Sequence, residues 1–126
     1  PVSVAAGLAS LRSLKKRSSW LYPEMEKNGE FLADGIRDEL VSQNTPARVN
    51  QIGSMFQIFF TERDVTDYMS AKSSDAHKYN RYFRSMLASG VFVPPSQLET
   101  CFLSTAHTRG DVEHTVEVIG TSLRAV

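Results

Sequence analysis

Cysteine is almost missing from this chain: Cys101 is the only one in 126 residues. It has no partner for an internal disulfide, which fits a reducing cytoplasm. Net charge is missing too, since 14 Lys and Arg balance 14 Asp and Glu. Nothing electrostatic therefore draws the chain to nucleic acid or to an anionic membrane. No apolar run approaches the roughly 20 residues that span a bilayer. The first residues lack the charged and apolar regions of a signal peptide. There is no phosphate-binding glycine pattern, no paired-cysteine zinc motif, no HExxH, no internal repeat and no low-complexity tract. These absences leave one domain over residues 1–126, with room for one core. Pro1 stands where a Met is expected, so the chain is read as processed, renumbered or cut from something longer.

What is present is periodic. Val4, Leu8, Leu11 and Leu14 recur at helical spacing and predict a helix over 2–17, with Pro1 at its start. Lys15, Lys16 and Arg17 would then sit in its last turn, opposing the helix dipole. A second helix is predicted over 23–42, with Phe31, Leu32, Ile36 and Leu40 on one face. Asn44-Thr45-Pro46 ends it. ARVNQIGSMFQIFFT reads as two strands around Gly53-Ser54. In MFQIFF both faces are mostly apolar, so that strand should be central and covered on both sides. Tyr79, Tyr82, Phe83, Met86 and Leu87 mark a helix over 75–88, capped by Ser74 or Asp75 and closed by Gly90. Short strands follow near 91–93 and 101–104, separated by Pro94-Pro95. Thr108 and Asp111 resemble a capping box, with Val112, Val116 and Ile119 on the face of a last helix. The order predicts an α+β domain with a small, largely antiparallel sheet and helices packed mainly on one face.

Chemistry-bearing residues are sparse. Cys101 and His107 could pair as nucleophile and base, although a cysteine in an apolar strand more often fills space. The three histidines are not neighbours on one helix face, which argues against a metal site. His107 precedes a helix cap, where a structural hydrogen bond suits it. Tyr79, Tyr82 and Phe83 read as core. Glu99 stands apart as the only formal charge between Arg84 and Arg109, set among Val91, Phe92, Val93, Leu98 and Phe102. It reads either as a solvated loop residue or as a carboxylate lining a site for a charged ligand. Ser54 and Ser96 read equally well as turn residues.

Three stretches carry a family resemblance: NQIGSMFQIFFT, SSDAHKYNRYFRSML and SGVFVPPSQLETCFLSTAHTRGDVEHT. In that order, and with PVSVAAGLASLRSLKK ahead of them, they resemble the C-terminal part of the glutamate-1-semialdehyde aminomutases. These are class III pyridoxal-phosphate aminotransferase-like enzymes. Gly53-Ser54-Met55-Phe56, Pro95-Ser96 with Glu99, and Ala106-His107-Thr108 are the most specific matches. Leu98-Glu99-Thr100-Cys101-Phe102 departs from the family's common Phe-Glu-Ala-Gly-Phe.

The resemblance implies the C-terminal small domain of a fold-type I enzyme, with residues 1–18 a helix leading from a missing large domain. That large domain would carry the cofactor lysine; Lys15, Lys16, Lys27, Lys72 and Lys78 have no such context. Pyridoxal or pyridoxamine phosphate would serve the parent homodimer, with no cofactor-binding or catalytic residue in this chain. The substrate is a small molecule, the semialdehyde, converted to 5-aminolevulinate for tetrapyrrole synthesis. Glu99, Ser54 and Met55 would face it. Related aminotransferases place an arginine near the substrate carboxylate, where the aminomutases have the glutamate matched by Glu99. Another class III aminotransferase or racemase, or a stand-alone α+β binding module, remain as alternatives.

Overall fold

A computed structural model describes all residues, 1–126. Its longest element is α1 (Val2–Ser42), one helix of 41 residues and roughly 60 Å in length. The sequence predicted two helices here, and the structure joins them through Pro23. The proline removes one N–H donor, but its position is exposed and no glycine or second proline flanks it, so the helix resumes at once. As a result Lys15, Lys16 and Arg17 lie in mid-helix and not in a last turn. The first twenty residues are exposed throughout. Val4 and Leu11 are each 66% exposed, so this apolar stripe touches no other part of the chain's core. From Leu21 onward the helix buries Gly29, Leu32, Ala33, Ile36 and Leu40.

The sheet has three antiparallel strands in the order β1 (Arg48–Ile52), β2 (Met55–Phe59), β3 (Cys101–Phe102). Asn50 pairs with Gln57, Val49 with Ile58, and Phe56 with Cys101. Side chains alternate along β2. Phe56 and Ile58 join Leu32, Ile36, Tyr82, Met86 and Ile119 in the main core. Phe59, on the opposite face, packs with Val65 and Ala71 in a smaller cluster. The expectation of a central strand covered on both sides is met, with four of the five β2 residues buried.

Three shorter helices complete the chain: α2 (Tyr68–Lys72), α3 (Ala76–Ala88) and α4 (Arg109–Leu123). The five-residue α2 was not predicted; too short for periodicity, it rests on a capping box between Asp67 and Ser70. Asp75 caps α3, while Ser74 instead donates to the Ala71 carbonyl. Gly90 takes φ 82°, and the Val91 N–H reaches back to the Met86 carbonyl at 3.0 Å. That tight closure, followed by Pro94-Pro95, is why the predicted strand over 91–93 does not form. Val93 is buried without pairing. The last strand stops at Phe102, two residues short of its predicted end, though Leu103 N–H still bonds the Ser54 carbonyl at 2.9 Å. The Thr108–Asp111 capping box opens α4 as predicted.

The core seats the hairpin against α1 at a position that tolerates no side chain. A Cβ on Gly29 would collide with the Gly53 carbonyl oxygen, whereas Gly7 faces open space. Both are helical, so propensity alone would make alanine stabilising by up to about 1 kcal/mol at either site. Gly29→Ala is expected instead to destabilise by roughly 1–3 kcal/mol, the usual range for overpacking. Gly7→Ala should be neutral or stabilising. Urea unfolding of both variants checks this, and an equal gain from the two would show that the approach is loose.

Candidate functional site

Polar groups gather where the loop from Pro94 to Thr100 runs into β3 beside β2. Burial of a polar side chain is costly unless its hydrogen bonds are made; the buried ones here tie the loop to its neighbours, with Gln97 Oε1 the atom left without a partner. Tyr79 of α3 donates its hydroxyl to the Pro94 carbonyl at 2.9 Å. Gln97, only 5% exposed, donates Nε2 to the carbonyls of Ala71 at 3.2 Å and Ser74 at 3.1 Å. Gln57 of β2, also 5% exposed, donates Nε2 to the Glu99 carbonyl and accepts the Ile58 N–H at 2.9 Å. The Glu99 N–H bonds the Ser96 carbonyl at 3.1 Å, and the Leu98 N–H bonds Ser96 Oγ at 3.2 Å.

The main chain of Glu99 is thus held at both its N–H and its carbonyl. Its side chain is exposed. The ion pairs of the chain, Arg37–Asp34, Arg48–Asp64, Arg109–Glu113 and His114–Glu117, all lie elsewhere. The solvated-loop reading of Glu99 therefore describes its side chain, and only its backbone is fixed.

Three open hollows lie around the sheet, two of them partly lined by α1. One of about 370 Å³ is lined by Asp67, Gln97, Glu99 and Thr100 among others, with no lysine, arginine or histidine. Its neighbour, about 560 Å³, holds Met55 and shares Asn50, Gln57, Phe59 and Thr100 with it. The third, about 380 Å³, lies at the hairpin turn between Ser54, Met55, Phe102 and Tyr22. The structure so brings Glu99 and Met55 to adjoining hollows. Ser54 sits one hollow further on, against α1. Asp67 was not singled out in the sequence; bonds from the Ser70 N–H and then the Ser70 hydroxyl hold its carboxyl below the usual range. Two carboxylates in a lining without a cation of its own favour an ammonium group over a carboxylate, with Arg37 in the adjoining hollow and Lys72 over the Tyr68 ring as the nearby positive charges. Gln57 had a sequence signal, as the one polar residue of MFQIFF. Gln97 had none, because nothing local marks an amide that will be buried.

Cys101 and His107 do not pair. Cys101 is buried on β3, its Sγ donating to Gln57 Oε1 at 3.9 Å, and burial pushes its thiol up to about 12. His107 Nδ1 accepts the Ser104 N–H at 2.9 Å, the structural bond expected of it. His77 and His114 are exposed on separate helices. Histidine, cysteine and carboxylates form no group of three that could hold a metal. Tyr79 and Tyr82 are core, with ring centroids 5.8 Å apart. No lysine lines any of the three hollows, so this chain's residues do not by themselves fit a pyridoxal phosphate site. No helix is long and apolar enough to cross a membrane.

No protein-family model matches the chain. Curated relatives do. It is 42% identical over 125 residues, 99% of its length, to glutamate-1-semialdehyde 2,1-aminomutase 1 of Cenarchaeum symbiosum. It is 36% identical over 126 residues to the aminomutase of Nitrosopumilus maritimus, and 41% identical over 116 residues to that of a Sulfurihydrogenibium species. The chain spans 30%, 30% and 27% of these relatives. Among solved structures, an ω-transaminase from Sphaerobacter thermophilus superposes with TM-score 0.80 at 23% identity, over 99% of this chain and 28% of that one. A glutamate-1-semialdehyde aminomutase from Pseudomonas aeruginosa superposes with TM-score 0.73 at 19% identity, over 83% of this chain and 23% of its own. These likenesses establish the fold. The chain is homologous over nearly its whole length to the C-terminal part of the glutamate-1-semialdehyde aminomutases, as its motifs indicated.

The buried thiol has an alkaline signature. Its ordinary value is near 9.0 and rises to about 12 in the fold. The unfolded chain therefore releases this proton first, so the stability it reflects is present below about pH 9 and is lost as pH climbs toward about 12. Burial raises Tyr79 and Tyr82 in the same direction. Chemical unfolding midpoints should fall across that window. At pH 8 iodoacetamide should leave the folded chain unmodified and alkylate Cys101 in denaturant. Rapid alkylation of the folded chain would contradict the burial.

Proposed function

We infer that this chain is the C-terminal domain of a longer pyridoxal-phosphate-dependent aminomutase, one that converts glutamate-1-semialdehyde to 5-aminolevulinate in tetrapyrrole synthesis. The observation that carries the reading is the match over 92% or more of the chain to a 27–30% portion of aminomutases. The exposed apolar stripe of α1, with Val4, Leu8 and Leu11, supports a larger domain of the same polypeptide packed against it. The parent is read as a cytoplasmic homodimer. Its cofactor supplies the electron sink when bound, and the lysine holding it belongs to the larger domain.

The present residues contribute one wall of the substrate site. Glu99 offers a carboxylate from a backbone fixed at both ends, in a hollow that has Asp67 and no cation. Such a wall repels a substrate α-carboxylate, which the semialdehyde lacks at that position, and favours an amino group. This is discrimination through a repulsive element. Once the larger domain covers this open hollow and excludes water, two like charges brought close there cost several kcal/mol. Met55 lies in the adjoining hollow and shapes the same wall, while Ser54 borders it at the hairpin turn.

Glu99→Arg in the full-length protein is expected to lower aminomutase turnover by at least about tenfold, equivalent to 1.4 kcal/mol. The same variant should gain activity toward ordinary α-amino acids, as an arginine there suits an aminotransferase. Steady-state kinetics with both substrates checks this. Unchanged constants for both remove Glu99 from the mechanism. A wild type that prefers ω-amino acids to the semialdehyde would instead favour the ω-aminotransferase reading.

A further inference from the structure

Gln57 is a polar side chain buried in the middle of the central strand, flanked by Phe56 and Ile58. An apolar residue there would satisfy the sheet equally well, since the neighbours on its face of β2 are Met55 and Phe59. Its amide is instead committed on both sides. Oε1 accepts the N–H of Ile58 at 2.9 Å, and Nε2 donates to the carbonyl of Glu99, 42 residues away in sequence. This is the side-chain hydrogen bond that the sheet makes to the Glu99 backbone. Tyr79 and Gln97 grip the same loop upstream, at Pro94 and against the Ala71 and Ser74 carbonyls. The loop thus has three side-chain anchors: Gln57 of β2 and Tyr79 of α3 bind its backbone carbonyls, and its own Gln97 reaches out to the carbonyls of Ala71 and Ser74.

We propose that Gln57 is a positioning residue: it fixes the peptide of Glu99 to the central strand so that the carboxylate is presented in one place. This rests on the role given to Glu99 above. A glutamine amide supplies a donor and an acceptor from one rigid plane. With the acceptor held by its own strand, the donor has a fixed direction, and the peptide it binds inherits that direction. Without it, the Glu99 carbonyl must turn toward water, and the carboxylate attached to that residue samples a wider range. A group misplaced by about 1 Å loses much of its effect on a bound substrate.

Two measurements test this. In the full-length protein, hydrogen exchange at the Glu99 N–H, bonded to the Ser96 carbonyl, should speed up at least about tenfold in Gln57→Leu. Amides of α3 such as Tyr82 and Met86 should keep their protection. Unchanged exchange at Glu99 overturns the proposal. If Gln57→Leu fails to fold, Gln57→Glu decides the point. It keeps the shape and can donate only when protonated, so protection at Glu99, relative to the intrinsic rate, should fall as pH rises. In the full-length protein, Gln57→Leu, Glu99→Gln and the double variant form a cycle read as kcat/KM for the semialdehyde. The double variant should be no worse than Glu99→Gln alone. Additive losses with Glu99→Gln itself impaired overturn the positioning role and leave the function of Glu99 standing. A silent Glu99→Gln overturns the function of Glu99, and with it the positioning role.

Discussion

The close approach of α1 to the hairpin turn decides where everything else can lie. At Gly29 the helix has no side chain, and the Gly53 carbonyl occupies the space one would need. Seating the hairpin there aligns Leu32, Ile36 and Leu40 of α1 with Phe56, Ile58 and Phe60 in one continuous core. The same stretch of α1 also receives α4, with Val112 and Ile119 in that core and Val116 packed against it. Gln43 ties the two helices, donating Nε2 both to Glu39 at 2.8 Å and to the Gly120 carbonyl at 2.7 Å. One half of α1 is thus the spine of the domain.

The other half behaves differently, and the difference is one of partners rather than of helix-forming ability. Val4, Leu8 and Leu11 repeat at the spacing that buries Leu32 and Ile36, yet they remain exposed. Periodicity identifies a face that wants cover; it does not say which polypeptide covers it. A longer protein with a domain against this face gives the pattern a purpose, and the relatives are of the length such a domain requires.

At the sheet face the organising chemistry is indirect. The site is not a cluster of reactive groups in contact with one another. It is a loop whose Pro94 and Glu99 carbonyls are held by the Tyr79 phenol and the Gln57 amide, and whose Gln97 amide is held by the Ala71 and Ser74 carbonyls, while the Glu99 side chain stays exposed. Cys101 follows that loop on a strand two residues long, where burial keeps its proton on.

Much was legible in the sequence alone. The hairpin around Gly53-Ser54, the central place of β2, a cap at Ser74 or Asp75 and the capping box at Thr108 follow from local rules, because a turn, a doubly apolar strand and a helix end each involve residues a few positions apart. The motifs also carried the homology, and they drew attention to Glu99. Local rules failed where a local preference had two outcomes. Pro23 can end a helix or be absorbed by one, and Val91 to Val93 can pair or merely pack. The tertiary structure decided both, and it alone decided the anchoring of Glu99. Gln57, Tyr79, Ala71, Ser74 and Gln97 are scattered over 41 residues of sequence. Only folding brings their donors and acceptors within hydrogen-bond reach, and no pattern along the chain encodes a distance between residues that far apart.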